Sequence, residues 1–210
     1  MRTRIKFCGF TRPDDAVYAA NQGVDAIGLV FYPRSPRNVT IEQAQSIVRS
    51  LPAFVTVVAL FVDAEASSIR EVMASVQVDC LQFHGDEEPA FCRQFNKSFI
   101  KAIRVKDGIN IQALAERYQD ASALLLDAYD AAYHGGTGRR FDWSLMPDNC
   151  KLPLILAGGL DENNVSEAVK RVKPYAVDVS SGVEAQKGIK DKKKMAAFVR
   201  AVNQGDTVKE

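Results

Sequence analysis

The chain alternates between short apolar segments and amphipathic segments, and this alternation restricts its fold more than any other feature. Apolar runs such as 25–31 and 55–62 are typical of buried strands, and each is followed by a segment with apolar residues at helical spacing. Eight such units recur at a period of about 20 to 30 residues, and eight favour a closed barrel over an open sheet. We therefore predict an α/β fold, a single-domain (β/α)8 TIM barrel that spans residues 1–210.

Two local patterns make specific predictions about helices. Thr40 and Gln43 have the spacing of a capping box, so a helix is expected from Ile41 to Leu51. The basic run 190–194 is expected to open the last helix, Ile189 to Val202, and to form a solvated face.

Composition excludes several classes of protein. The net charge of +1 favours neither nucleic acid nor an anionic membrane as a partner. No apolar run reaches the roughly 18 residues that span a bilayer, and the basic start 1–4 lacks the apolar region of a signal peptide. The cysteines are scattered, which suits a reducing, cytoplasmic location: Cys8, Cys80, Cys92 and Cys150. With only His84 and His134, we expect no metal site.

A polar residue ends two of the apolar strands. Cys8 closes the first strand and is followed at once by Gly9, so its thiol is expected to point out of the core. The alternative is a small buried hydrophobe, as most free cysteines are. Asp127 closes the strand 123–127 in the same way. Parallel strands of a barrel end on one rim, where function is expected, so the pair suggests acid–base chemistry.

Small residues follow the last two strands. Gly158 and Gly159 come after one strand, and Ser181 and Gly182 come after the other. Backbone N–H groups in such turns bind oxyanions, and barrels commonly bind phosphate after strands seven and eight. The alternative is that the glycines only make tight turns. The loop 135–138, which contains Gly136, would add a cover over the same phosphate, although mobility of the loop alone explains its glycines equally well.

Two further side chains are candidates for binding. Arg37 lies in a proline-stiffened loop after the second strand, where a guanidinium suits bidentate recognition of a carboxylate, and Arg34 could do the same. His84 could shuttle protons, but we expect it to pack against Cys8 or Arg37.

Taken in order, these motifs resemble the phosphoribosylanthranilate isomerase family of tryptophan biosynthesis, from about residue 3 to residue 200. The residues that carry the resemblance are 6–9, 28–33, 35–37, 81–85, 126–127, 136–138, 141–143, 157–160 and 177–184. Phe7 and Phe83 stand where the family's pattern has aliphatic residues, a departure that touches packing only.

The resemblance implies an Amadori rearrangement of N-(5-phosphoribosyl)anthranilate. Asp127 would be the general acid and Cys8 the general base; no cofactor is implied. Arg37 would hold the anthranilate carboxylate and Asp178 a ribose hydroxyl. The remaining substrate-binding positions would be His84, Gly136, Gly158, Gly159, Ser181 and Gly182. The partner is then a small phosphosugar substrate, bound by a monomer or a homodimer.

Three other functions remain open at this point. An indole-glycerol-phosphate synthase would need catalytic lysine and glutamate at strand ends, and Lys101 is not at a strand end. A pentose-phosphate epimerase would need a histidine-rich metal site. A non-catalytic phosphosugar sensor would keep the glycine loops but would have no use for Cys8 and Asp127.

Overall fold

The computed structural model describes residues 2–105, 108–127, 146–147 and 149–207. Eight parallel strands close into a barrel in sequence order, which confirms the predicted (β/α)8 fold. The strands are β1 (Arg4–Cys8), β2 (Ala26–Val30), β3 (Thr56–Phe61), β4 (Cys80–Phe83), β5 (Phe99–Arg104), β6 (Ala123–Asp127), β7 (Leu154–Ala157) and β8 (Ala176–Val179). The helices are α1 (Pro13–Asn21), α2 (Ile41–Ser50), α3 (Ala66–Ser75), α4 (Pro89–Arg93), α5 (Ile111–Arg117), α6 (Val165–Val172) and α7 (Lys192–Asp206).

Each strand contributes side chains to two layers, because successive residues point to opposite faces. The outward residues pack under the helices in one continuous core, which includes Leu29, Leu124 and Leu156. Their neighbours form a separate cluster inside the barrel, with Val58 and Leu125 among its members. The barrel is thus a filled core, and only its rims are open to a ligand.

Phe7 and Phe83 belong to the outward layer. Phe7 packs edge-on against Phe198 of α7, with ring centroids 5.6 Å apart. Phe83 contacts three other phenylalanine rings, those of Phe91, Phe95 and Phe99. Aromatic pairs of this kind add to the stability gained by burial alone. Both rings therefore pack outside the barrel, in the layer that the helices cover.

The predicted capping box of α2 is confirmed. The Thr40 side chain accepts a hydrogen bond from the Gln43 backbone N–H at 3.2 Å, and the Gln43 side chain accepts one from the Thr40 N–H at 2.9 Å. Two N–H groups that the first turn would leave unpaired are satisfied in this way.

The segment after β8 differs from the prediction. A two-stranded antiparallel hairpin, β9 (Glu184–Gln186) and β10 (Ile189–Lys190), precedes the last helix. Helix α7 begins only at Lys192, because Asp191 caps it by accepting hydrogen bonds from the N–H groups of Lys193 and Lys194. The predicted helix start at Ile189 is therefore wrong, and so is the predicted solvation of Lys190, which is buried.

In the described part of the chain, no helix is long and apolar enough to cross a membrane. The sequence also predicts a short helix near Trp143, and this segment lies outside the described residues.

Candidate active site

Cys8 lies inside the mouth of the barrel. Its side chain packs with Val30 and Leu60 and is only 6% exposed, so the expectation that the thiol points out of the core is wrong. β2 leaves room for the sulfur by placing Gly28 beside it, where a Cβ atom would come within 2.7 Å of Sγ. The thiol is therefore held in a tight, largely dry position under the rim.

An ion pair lies one layer below this thiol. Lys6 shares the inward face of β1 with Cys8, and its Nζ donates to Asp178 Oδ1 of the neighbouring β8 at 2.8 Å. Burial disfavours the Lys6 charge, but Asp178 and Cys8 outweigh it and raise the pKa of Lys6. Burial raises the pKa of the Cys8 thiol, and the Asp178 charge raises it further. The Lys6 and Lys190 charges act in the opposite direction and lower it. Asp178 is thus engaged by Lys6 at the floor of the site.

Asp127 ends β6 on the same rim and is linked to His84. The His84 Nε2 atom lies 3.1 Å from Asp127 Oδ2, and its Nδ1 lies 3.0 Å from Gln82 Nε2. With the Gln82 amide nitrogen donating to Nδ1, the ring carries its hydrogen on Nε2 and donates it to Asp127 Oδ2. The expectation that His84 packs against Cys8 or Arg37 is wrong; its hydrogen-bonded partners are Gln82 and Asp127.

Arg37 lies beside β1 and is oriented by a carboxylate. Its Nε and one terminal nitrogen each donate to Glu184 at 2.7 Å, which makes a bidentate pair. Gly9 allows this arrangement, since a Cβ atom there would lie 2.5 Å from Arg37 Cδ. Arg34, by contrast, is exposed. The loop after β2 therefore presents Arg37 in one defined orientation at the rim.

The loops after β7 and β8 meet at Gly182. A Cβ atom at this glycine would lie 2.0 Å from the carbonyl oxygen of Leu160, so only glycine permits the contact. Gly158 and Gly159 have φ angles of 88° and 64°, in the left-handed region. Ser181 opens a short 3-10 turn, and the buried hydroxyl of Ser180 has no hydrogen-bond partner among the described residues. The predicted phosphate loops are therefore brought together at the rim.

Two other predictions about the site have different outcomes. Gly136 lies outside the described residues. Lys101 faces the outer layer, where it pairs with buried Glu87 at 3.1 Å and donates to the carbonyl oxygen of Gly85 at 2.6 Å. It therefore supports the loop after β4 from outside the barrel.

Glu184, which holds Arg37, and Lys190, which contacts the ends of β1 and β8, were not among the predicted site residues. The sequence offers only a weak indication of them. Both are charged residues that follow the glycine turn after the last strand, in a segment whose composition is typical of an exposed surface.

The comparisons with known proteins agree with this geometry. The family model described as N-(5'-phosphoribosyl)anthranilate (PRA) isomerase matches residues 5–201. The N-(5'-phosphoribosyl)anthranilate isomerase of Nitrosococcus oceani is 56% identical over 203 residues, which cover 97% of this chain and 98% of the relative.

Two solved structures have the same fold. A phosphoribosyl anthranilate isomerase in complex with reduced 1-(o-carboxyphenylamino)-1-deoxyribulose 5-phosphate has a TM-score of 0.84 and 37% identity, over 96% of this chain and 98% of that chain. Monomers generated from the dimeric enzyme of Thermotoga maritima have a TM-score of 0.83 and 35% identity, with the same coverage. The chain therefore belongs to the N-(5'-phosphoribosyl)anthranilate isomerase family.

Proposed function

We propose that this chain converts N-(5'-phosphoribosyl)anthranilate into 1-(o-carboxyphenylamino)-1-deoxyribulose 5-phosphate, a step of tryptophan biosynthesis. The observation that carries the proposal is that Cys8 and Asp127 end two strands on one rim and both face the barrel mouth. A base and an acid on one rim suit an aldose-to-ketose rearrangement, and the family match names its substrate.

Ring opening is the first step. Asp127 protonates the ribose ring oxygen, and the bond between that oxygen and carbon 1 breaks to give a Schiff base. The hydrogen bond from His84 Nε2 at 3.1 Å orients the carboxyl group towards the barrel mouth. A fixed orientation matters because a general acid must reach the atom it protonates within hydrogen-bonding distance.

Proton abstraction is the second step. The iminium carbon acidifies the neighbouring proton on carbon 2, and Cys8 removes it to give an enolamine. The enolamine then gains a proton at carbon 1 and loses the hydroxyl proton at carbon 2. Burial raises the pKa of Cys8, so the thiolate is scarce in the free protein. The positive iminium next to the sulfur favours its charged form when the base is needed.

The remaining contacts bind the substrate at three points. Arg37 holds the anthranilate carboxylate, and Gly158, Gly159, Ser181 and Gly182 offer backbone N–H groups to the phosphate. Asp178, held by Lys6 at the floor of the site, accepts a hydrogen bond from a ribose hydroxyl. Ser180 joins the phosphate site, because its buried hydroxyl is unpaired among the described residues.

The test of this function is a fluorescence assay with freshly made phosphoribosylanthranilate. Rapid turnover by the unaltered protein is expected. If the protein binds the reduced product analogue but shows no turnover, the isomerase proposal is wrong and the chain is a phosphosugar-binding barrel.

Gly182→Ala tests the phosphate loops. The added Cβ would lie 2.0 Å from Leu160 O, so the loops after β7 and β8 must separate. We expect the affinity for the reduced product analogue to fall about tenfold or more, since several charge-assisted hydrogen bonds to the phosphate are misplaced. Calorimetric titration measures this affinity.

Gly23→Ala is the control: that glycine has a φ of 86° and open space around it, so the change adds strain without a clash. Equal affinities of Gly182→Ala and the unaltered protein would contradict phosphate binding here.

We further propose that residues 1–210 form one domain that works in the cytoplasm as a monomer or a homodimer. The four cysteines are all free, as in a reducing compartment. Phe54, at the rim opposite the site, is fully exposed, and a homodimer would bury such an apolar side chain. Sedimentation equilibrium distinguishes the two states.

A further inference from the structure

Lys190 is a buried cation that the mechanism above does not use. It ends β10, in the hairpin that follows the proposed phosphate loop, and its side chain is 0% exposed. A charge is kept in such a place only where partners compensate for the loss of water. Burial lowers the pKa of Lys190, which Glu184 and Cys8 oppose. An apolar residue would fill this position more easily, so the contacts of the ammonium group must explain its presence.

The ammonium group joins three parts of the rim. Its Nζ donates to the carbonyl oxygen of Cys8 at 2.6 Å, to that of Ser180 at 3.0 Å and to Glu184 Oε1 at 3.0 Å. An ammonium group has three hydrogens, and all three are used. The ends of β1 and β8 are tied together by this one side chain.

Glu184 carries the link to Arg37. One of its oxygens is shared between Lys190 and Arg37 Nε, and the other accepts from the Arg37 terminal nitrogen at 2.7 Å. Charges and hydrogen bonds from both cations outweigh burial and lower the pKa of Glu184. Lys190, Glu184 and Arg37 thus form a triad in which one carboxylate joins two cations.

We propose that Lys190 is a positioning residue of this site: its ammonium group fixes the main chain at Cys8 and Ser180 and, through Glu184, the guanidinium group of Arg37. The inference rests on the proposed roles of Cys8, Arg37 and the phosphate loop, but its test needs no turnover.

The first variant is Lys190→Met, which keeps most of the side-chain length and removes the charge. Lys193→Met is the control, because Lys193 is an exposed lysine in the same stretch of sequence. We expect the dissociation constant of the reduced product analogue to rise about tenfold or more, because hydrogen bonds from a charged donor are lost. Lys193→Met should bind the analogue as the unaltered protein does.

The second readout is the titration of the Cys8 thiolate, followed by ultraviolet absorbance as a difference from Cys8→Ser. Among the described residues, three charged groups act on this thiol: Lys6 from β1, Asp178 from β8 and Lys190 from β10. β2 and β3 face it with Gly28 and Leu60, which do not titrate. Lys190→Met removes one of the two cations, so the midpoint should move to higher pH. An unchanged midpoint would mean that the Lys190 charge does not act at Cys8, and it would overturn the part of the inference that concerns Cys8.

Glu184→Gln keeps the inference testable if Lys190→Met does not fold. This change conserves the shape of the side chain but removes the negative charge that holds Arg37 and Lys190 together. The KM should therefore rise by a larger factor than the factor by which kcat falls. Unchanged analogue affinity in Glu184→Gln overturns the link to Arg37. If the unaltered protein shows no isomerase turnover, the proposed function fails by itself, while the thiolate titration still decides the role of Lys190.

Discussion

Cys8→Ser should reduce kcat for phosphoribosylanthranilate by a factor of about 10²–10⁴, the contribution of a positioned base. A serine hydroxyl is a far weaker acid than a thiol, so it supplies almost no anion to take the proton from carbon 2. The change is small in volume, and the contacts with Val30 and Leu60 remain. The affinity for the reduced product analogue should therefore stay close to that of the unaltered protein, which separates loss of chemistry from loss of binding.

The pH dependence gives the same prediction a second readout. Burial raises the pKa of Cys8, so below that pKa only a small fraction of the thiol is ionised. The thiolate fraction grows about tenfold per pH unit in this range, and kcat/KM should rise with it until the pH passes the Cys8 pKa. The rising limb should be missing in Cys8→Ser.

Cys150→Ser is the matched control, because Cys150 is a free cysteine that packs at the edge of the outer core. Its turnover should be unchanged. Turnover by Cys8→Ser within a few-fold of the unaltered protein would keep the enzyme but move the base elsewhere, with His84 the first residue to test.

Asp127→Asn should also reduce kcat by about 10²–10⁴-fold, since the amide cannot donate an acid proton to the ring oxygen. The amide oxygen can still accept the hydrogen bond from His84 Nε2, so the local geometry is kept. Affinity for the reduced product analogue should change little. Steady-state kinetics and calorimetry on the same preparation separate the two effects.

Asp120→Asn is the control for this change. Asp120 is an exposed carboxylate that pairs with Arg93 at the surface, and such pairs contribute little. Near-normal turnover by Asp127→Asn would mean that another group opens the ring, and the assignment of the acid would be wrong.

The arrangement of strands followed from local patterns. The apolar run that ends at Asp127 and the capping box of Thr40 and Gln43 are both short-range features, and both were predicted correctly. The rule that parallel strands end on one rim then placed Cys8 and Asp127 together without any knowledge of the tertiary contacts.

The errors arose where partners are distant in the chain. The Cys8 thiol was expected to point out of the core, but it is buried. A position at the end of a strand does not show how deep in the barrel mouth the side chain lies. His84 was expected beside Cys8 or Arg37, but strand order and stagger bring it to Asp127, 43 residues away. Period-two alternation shows which face a residue occupies, and it does not show which residue lies opposite.

The sequence by itself determined the barrel, the rim and the residue types on it, because strand and helix patterns depend on neighbours in the chain. Only the tertiary structure decided which charges meet. Lys6 pairs with Asp178 across 172 positions, and Lys190 reaches the Cys8 carbonyl across 182. Lys190 resembled a solvated lysine, because burial of a charge depends on partners supplied by other strands. Those partners come together only when the barrel closes.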